Sequence, residues 1–523
     1  MITAIAPLDL PAAADNKLYL DYIAGTEAAA RFYAHSPADW CGVLAVRQGY
    51  PYPRSEVVPL LAEYNARLGA QERALANVET LREPDTFCVI TGQQAGFLGG
   101  PAYTAFKIAT TIRLAAHLQA SLKVHVVPIF WLASEDHDFG EINHTYLVQR
   151  DGEIGRVGFG WAEQGRPVAA LPITDEVTQA FDDYWAKIRP GSYLEQVRDL
   201  LAPHPSESYC AWSARTWSDL FADQGLVIVE PRTLRPPAGA LLYSFASQSD
   251  EIQRHLDGVA ADLGQAGYEP QLTSDFAGQL YTFDENGFRV RIEPGHPLDD
   301  VKAHPERYST DAALRPLFAD AMLPVIVSVL GPGETAYQGM LRPLYDLFGI
   351  PQPALFPRKS YTVVSEQDAA RIAEYQTSIG EILTERMDGD AVFRDLIPVQ
   401  ELEMFATVQR DLATALEPLR PYLEDMDPSL GKTWSQTLAN VDRGLEKLRE
   451  RAFKARMSQL GFSKGELRRL ENVVLPRGRL QERVLPLPHY LNQFGPGFVD
   501  QLLTAGDLFS FDHQVLVLED EGV

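Results

Sequence analysis

Four short stretches gather side chains able to bind a polar ligand or move a proton. The first is Ser134-Glu135-Asp136-His137-Asp138-Phe139, with Glu141, Asn143 and His144 close behind. Carboxylates and imidazoles packed this closely perturb one another's proton affinities, a mark of sites more than of surfaces. His137 or His144 is the candidate proton carrier. Glu135, Asp136 and Asp138 are suited to hold an ammonium group or a magnesium-nucleotide. Zinc or manganese would accept such donors, but adjacent residues on an extended chain point to opposite faces and cannot all ligate one ion. No protein-bound metal is expected.

The second stretch is Thr91 to Lys107, TGQQAGFLGGPAYTAFK. Gly92, Gly96, Gly99 and Gly100 let backbone N–H groups approach an anion ahead of a helix, although glycine serves close helix-to-strand packing equally well. It is not a Walker A loop, because Lys107 lies inside the helix instead of at the loop's end. Gln93 and Gln94 are poor core residues at a strand end, yet each offers donors and an acceptor to a polar substrate. Third comes Gly331-Pro332-Gly333-Glu334-Thr335-Ala336-Tyr337-Gln338, another strand end opening a helix, where Glu334 also suits the helix dipole. Fourth, Phe356-Pro357-Arg358-Lys359-Ser360 sets two cations in an acidic chain, able to grip carboxylate or phosphate. Signatures of nucleophilic serine or of zinc proteases are missing, and Cys88, inside an apolar run, reads as core.

The elements that must position these groups follow from periodicity. Cys88 to Thr91 reads as a buried strand, Ala102 to Ala120 as a helix with Pro101 at its start, and Val124 to Ala133 as a second strand. Together they form a βαβ crossover of a doubly wound parallel sheet, in which ligands sit beyond the carboxyl ends of the strands. The same grammar returns with a strand at 323–330, a helix at 335–348 and a strand at 354–356. Between the two halves, 150–320 is punctuated by Gly and Pro, with a strand at 226–230, a helix near 244–265 and a hairpin at 283–292 around Glu285-Asn286-Gly287. Beyond Ser365, Trp434, Leu438, Val441, Leu445, Leu448, Ala452 and Ala455 form an unbroken a/d seam. Leu402, Phe405, Val408, Leu412, Ala415 and Leu419 form a second, antiparallel one. Seams this regular predict a helical hairpin that recruits a second copy.

Composition bounds the function. The 523 residues carry 46 Lys plus Arg against 71 Asp plus Glu, a net charge of −25 that disfavours nucleic acid and anionic membranes. Hydrophobic residues at 46% and charged residues at 22% match a folded globular protein. Cys41, Cys88 and Cys210 supply neither a disulfide framework nor a zinc pair. The amino terminus lacks a signal-peptide pattern, and no apolar run is long enough to span a bilayer. A cytoplasmic protein is expected.

Taken together, VITGQQAGFLGGPAYTAFK, PIFWLASEDHDFGEINH, LGPGETAYQ, the late PRGRLQER and a terminal HQ resemble the BshC cysteine ligase family of bacillithiol biosynthesis, in consistent order over essentially the whole chain. The resemblance implies a Rossmann-like core akin to nucleotidylyltransferases and class I synthetases, connecting-peptide insertions and a dimerising antiparallel coiled coil. Expected boundaries are 1–150 and 321–364 for the two halves of the core, 151–320 for the insertions with part of the core, 365–460 for the coiled coil, and 461–523 for a C-terminal segment docking on the core. The implied reaction joins the carboxyl of L-cysteine to the amine of glucosaminyl-malate, the last step of the pathway. A free carboxylate is a poor electrophile, so activation with ATP and Mg is inferred from chemistry and fold, without a motif. On this reading Gln93, Gln94, Gly99 and Gly100 bind sugar hydroxyls and the reacting carboxyl, and Tyr103 and Lys107, one helical turn apart, face the same cleft. Asn143, His144, Gly331, Gly333, Glu334, Tyr337 and Gln338 complete the substrate surroundings. Asp136 or Asp138 holds the cysteine ammonium, His137 takes the amine proton beside Glu135, and Arg358 or Lys359, with Ser360, meets the malate carboxylates. Gln481, Glu482 and Arg483 match a family motif and are assigned to a cofactor. Competing expectations are a metal-dependent hydrolase or deacetylase centred on 135–144, and a non-catalytic nucleotide-binding scaffold.

Overall fold

A computed structural model describes residues 1–8, 16–136, 138–163, 165–272, 278–293, 295–384, 392 and 396–519. The chain divides into two units, Met1–Val364 with Arg479–Val523, and Ser365–Gly478.

The first unit is organised by a five-stranded sheet. Its strands are β1 (Thr86–Gln93), β2 (His125–Leu132), β3 (Val227–Val229), β4 (Val325–Leu330) and β5 (Ala354–Pro357). The order across the sheet is β5-β4-β1-β2-β3 and every pairing is parallel. Strand order therefore reverses between β1 and β4, and a crevice opens at their carboxyl ends, where open α/β sheets bind ligands. Side chains alternate between two apolar faces. Phe87, Val89, Val126, Val327, Val329 and Phe356 pack with Leu114 and Leu118 of helix α1 (Tyr103–Leu122). Cys88, Ile90, Val127, Ile129 and Trp131 face Val57, Leu61, Val78 and Leu317. Helices thus cover both faces, and each fully buried Val or Ile contributes roughly 1.5–3 kcal/mol.

Helix α1 is buried on nearly every side from Thr104 to Ala115, while its last two turns are mostly exposed, and Lys123 ends it in the left-handed conformation at φ 59°. The single helix expected over 335–348 is two: α3 (Pro332–Gln338), which follows α2 (Leu314–Met322), and a separate helix Arg342–Phe348. The cause lies at Gly339, where a Cβ would come within 2.9 Å of Tyr33, and at Pro343, which cannot continue a helical ladder. The helix expected near 244–265 is likewise split, into Gly239–Ser247 and Ser249–Gln265. The hairpin is present as Leu280–Phe283 against Arg289–Arg291, turning through Gly287 at φ 81°, with Ser309–Thr310 as a third strand. A second sheet joins Ile2–Leu8, His513–Leu518 and Tyr361–Ser365.

In the second unit, α4 (Val399–Leu416) and α5 (Leu430–Gln459) run antiparallel. Trp434 Nε1 donates to the Leu416 carbonyl at 3.2 Å, Gln409 reaches Asp442 at 3.3 Å, and Phe405 meets Phe453 with ring centroids 5.6 Å apart. Met404, Val408, Leu412 and Leu448 remain exposed. No helix among the described residues is long and apolar enough to cross a membrane.

Candidate functional site

The carboxyl ends of β1, β2 and β4 enclose a cleft of about 220 Å³. Gln93, Gln94, Asp136, Glu334, Tyr337 and Gln338 line it, together with Trp131, Arg315 and Asp320. Three loops that are far apart in sequence are thereby brought to one place by the strand order.

Each loop is fixed locally. Beyond β2, Ser134 and Asp136 are strapped by their carbonyls, which accept from Ala169 and Val168 N–H, both at 2.9 Å. Asp136 then accepts from Gln94 Nε2 at 2.6 Å and from the Asp138 N–H at 3.2 Å, so the glutamine pair and the acidic run meet across the β1–β2 boundary. Glu135 turns the other way and is buried against Arg235, whose Nε lies 2.6 Å from its carboxylate. Asp138 and Glu141 are exposed. Asn143 and His144 bond to each other at 3.0 Å at the start of a hairpin, and neither lines the cleft. His137 lies outside the described residues.

Lys107 is the buried charge of the site. Its ammonium is 2.5 Å from Glu334 and donates to Gln93 Oε1 at 2.9 Å and to the Gly92 carbonyl at 3.1 Å. Burial pulls its proton affinity below the ordinary lysine value, with Glu334 opposing the shift. With three partners for three donors, Lys107 locks the ends of β1 and β4 together. Glu334 also accepts from the Gly331 N–H at 2.8 Å, closing the turn into α3. Gly333 is exposed. Tyr103 accepts from Gln93 Nε2 at 3.4 Å.

The glycine-rich loop is shaped by packing. Leu98, Gly99 and Gly100 all have positive φ. A Cβ on Gly99 would come within 2.9 Å of Trp217, and one on Gly96 within 2.7 Å of Gly100. The N–H groups of Gly96, Gly99, Gly100 and Ala102 donate to the carbonyls of Gln94, Gly96, Phe97 and Leu485. These amides are therefore occupied by the protein itself, and the loop does not offer them as a phosphate cradle.

The cations after β5 are likewise engaged. Arg358 donates to Glu482 at 2.7 Å and to the Lys359 carbonyl at 2.9 Å, with its guanidinium 5.3 Å from the Tyr103 ring centroid. Lys359 donates to the Ser510 carbonyl, and burial lowers its pKa to about 8. Glu482 is fully buried and accepts also from Ser360 Oγ at 2.9 Å and the Tyr361 N–H at 3.0 Å. Burial works against its charge, but the Arg358 guanidinium, together with His513 and the Tyr361 N–H, holds the carboxyl below its usual range. Gln481 pairs through both ends of its amide with the Val363 backbone. His513 bridges Ser360 and Thr362 at 2.7 and 2.9 Å, and burial depresses its pKa to about 4. Gln481 and Glu482 thus hold the C-terminal segment to the strand after β5, while Arg483 is exposed.

The N-terminal Rossmann-like domain of the bacillithiol biosynthesis protein BshC matches residues 5–359. The chain belongs to the BshC family. The C-terminal coiled-coil domain of BshC matches 361–518. A relative from Geobacillus kaustophilus, named "Putative cysteine ligase BshC", is 30% identical over 551 aligned positions covering 98% of this chain and 99% of the relative. Relatives of the same name from Salinibacter ruber and Chlorobaculum tepidum are 29% and 27% identical, covering 95% and 96% of this chain and 96% of each relative. BshC membership agrees with the Rossmann-type strand order and the helical hairpin. Among the described residues no group of three His, Cys, Asp or Glu side chains could hold a metal ion. Cys88 faces the helices, and burial raises its thiol to about 12, so it is not a nucleophile in this setting.

Sequence reasoning overlooked Arg315, Trp131 and Asp320. Arg315 sits in an ordinary amphipathic helix and Trp131 in an apolar strand, so neither carries a local signal. Asp320 is buried against Arg47 and Tyr345, and burial lifts its pKa to about 6.

Proposed function

We propose that the chain is a cytoplasmic ligase of bacillithiol biosynthesis that forms an amide between the carboxyl of L-cysteine and the amine of glucosaminyl-malate. Family membership supports the ligase class. The observation that carries the reading is the convergence of Gln93, Gln94, Asp136, Glu334, Tyr337 and Gln338 in one cleft at the point of strand reversal. A doubly wound core of the nucleotidylyltransferase and class I synthetase kind accords with that order.

In this reading Asp136, oriented by Gln94, holds the cysteine ammonium and leaves the carboxyl facing the incoming amine. Gln93, fixed by Lys107 and bonded to Tyr103, presents its remaining amide hydrogen to a sugar hydroxyl. His137 takes the proton that the amine loses as it attacks, since only a neutral amine is nucleophilic. Amide formation requires an activated carboxyl, and ATP with Mg is the proposed source of that activation. The glycine loop does not fit as its phosphate cradle, so no step is assigned to a nucleotide here. The apolar side chains exposed along α4 and α5 support a homodimer formed through the coiled coil.

The test is reconstitution. Purified protein is incubated with cysteine, glucosaminyl-malate, Mg and ATP, with each omitted in turn, and products are followed by mass spectrometry. Bacillithiol that depends on both substrates is expected, with AMP indicating adenylation and ADP an acyl phosphate. Hydrolysis of an added amide without ligation would overturn the reading.

A further inference from the structure

The cations around the sheet ends differ in one respect. Lys107 is answered by Glu334, Arg358 by Glu482, Arg235 by Glu135 and Arg47 by Asp320, while Lys359 donates to a carbonyl. Arg315 lines the cleft with Tyr337 as its side-chain hydrogen-bond partner; Asp136 and Glu334 act on its charge from across the cleft, but among the described residues no carboxylate lies within ion-pair distance of it. A half-buried guanidinium has five donors, and one phenol cannot satisfy them.

Two further polar atoms in the same cleft point to a ligand. Trp131 and Gln338 are each 4% exposed, and among the described residues Trp131 Nε1 and Gln338 Oε1 have no hydrogen-bond partner. Buried polar atoms left unpaired are costly, and they are usually satisfied by water or ligand. The cleft therefore supplies a guanidinium, and its wall holds an unpartnered indole N–H donor beside an unpartnered amide oxygen that accepts. That set fits a carboxylate with a hydroxyl or ammonium a few atoms away.

We propose that Arg315, aided by Trp131, anchors a substrate carboxylate that stays ionised throughout the reaction. The inference rests on the ligase reading for the choice between the two substrates. The carboxyl of cysteine must lose its charge on activation, and a fixed guanidinium would oppose that step. The malyl carboxylates keep their charge, so the anchor selects the malyl end of the amine substrate, and Gln338 accepts from a neighbouring hydroxyl.

The full chain is titrated calorimetrically with L-malate, dimethyl L-malate and L-cysteine. L-Malate is expected to bind, its diester at least ~10-fold more weakly. Arg315→Met is expected to weaken L-malate by ~10–100-fold with L-cysteine unchanged, and Trp131→Phe by a smaller factor. Arg315→Lys, which keeps the charge but not the fork, is expected to fall between, and it serves if the methionine variant does not fold. The proposal is overturned if wild-type protein binds malate and its diester equally, if it binds neither at millimolar concentration, or if Arg315→Met binds malate as the wild type does. Loss of cysteine in place of malate would reassign the anchor to the other substrate and overturn the malyl assignment. Malate binding through Arg315 without any amide formation would sink the ligase reading and leave the anchor standing.

Discussion

Removing the Glu482 carboxylate is expected to destabilise the first unit strongly, and by more than the hydrogen bonds alone would suggest. The side chain is 1% exposed and its partner Arg358 is 5% exposed, so neither charge has water to fall back on. Glu482→Ala leaves a buried guanidinium, the Ser360 hydroxyl and the Tyr361 N–H without their acceptor. Breaking one side of such a pair costs about 3–5 kcal/mol. The unit has about 400 residues, which gives an unfolding entropy near 0.8 kcal/mol/K and a fall in melting temperature of about 4–6 °C. Tryptophan fluorescence reports it selectively, because Trp40, Trp131, Trp161, Trp185, Trp212 and Trp217 belong to this unit and Trp434 to the other. The double variant Glu482→Leu with Arg358→Met removes both charges, and it is expected to lose less than the sum of the two single changes. A shift below 1 °C for Glu482→Ala, or a double variant that is simply additive, would refute the argument that this pair is held by mutual compensation.

Three further outcomes follow from the same geometry. His513 has a pKa near 4 in the fold against an ordinary 6.5, so the unfolded chain takes up the proton first. Its contribution, about 3 kcal/mol, is fully present above pH 6.5 and is lost as pH falls toward 4; thermal melts across that range should show His513→Gln with a flatter pH dependence than the wild type. Lys107→Met should uncouple Gln93 from Glu334 and lower kcat/KM by about 10²-fold in the bacillithiol assay, whereas an unchanged value would deny Lys107 a positioning role. Light scattering at micromolar concentration should give a dimer and Leu448→Glu a monomer, and a monomeric wild type would contradict the self-association expected of the seams.

Much of the core was legible because its signals are local. The βαβ unit from Cys88 to Ala133 announces itself through β-branched runs, a glycine-rich turn and an amphipathic stretch, and strand ends then place Gln93, Gln94, Asp136 and Glu334 together. The break after Gln338 was legible only in part: Pro343 stands in the sequence, but the close approach of Tyr33 to Gly339 does not. Gln481 and Glu482 stood out as polar residues in a motif, but their burial depends on partners more than a hundred residues away. Arg315 could not be singled out either, because its significance arises from what the cleft around it leaves unanswered. His137, central to the chemistry expected of the acidic run, lies outside the described residues.

Amide formation is assigned to the cleft holding Asp136. Its most direct test compares bacillithiol production by the wild type and by Asp136→Asn, quantified by mass spectrometry with melting temperatures recorded in parallel. Product is expected from the wild type only when both substrates are present, with at least a ~100-fold slower rate for the variant at an unchanged melting temperature. A variant as fast as the wild type, or a wild type that binds both substrates and yields no amide with any nucleotide, would contradict it.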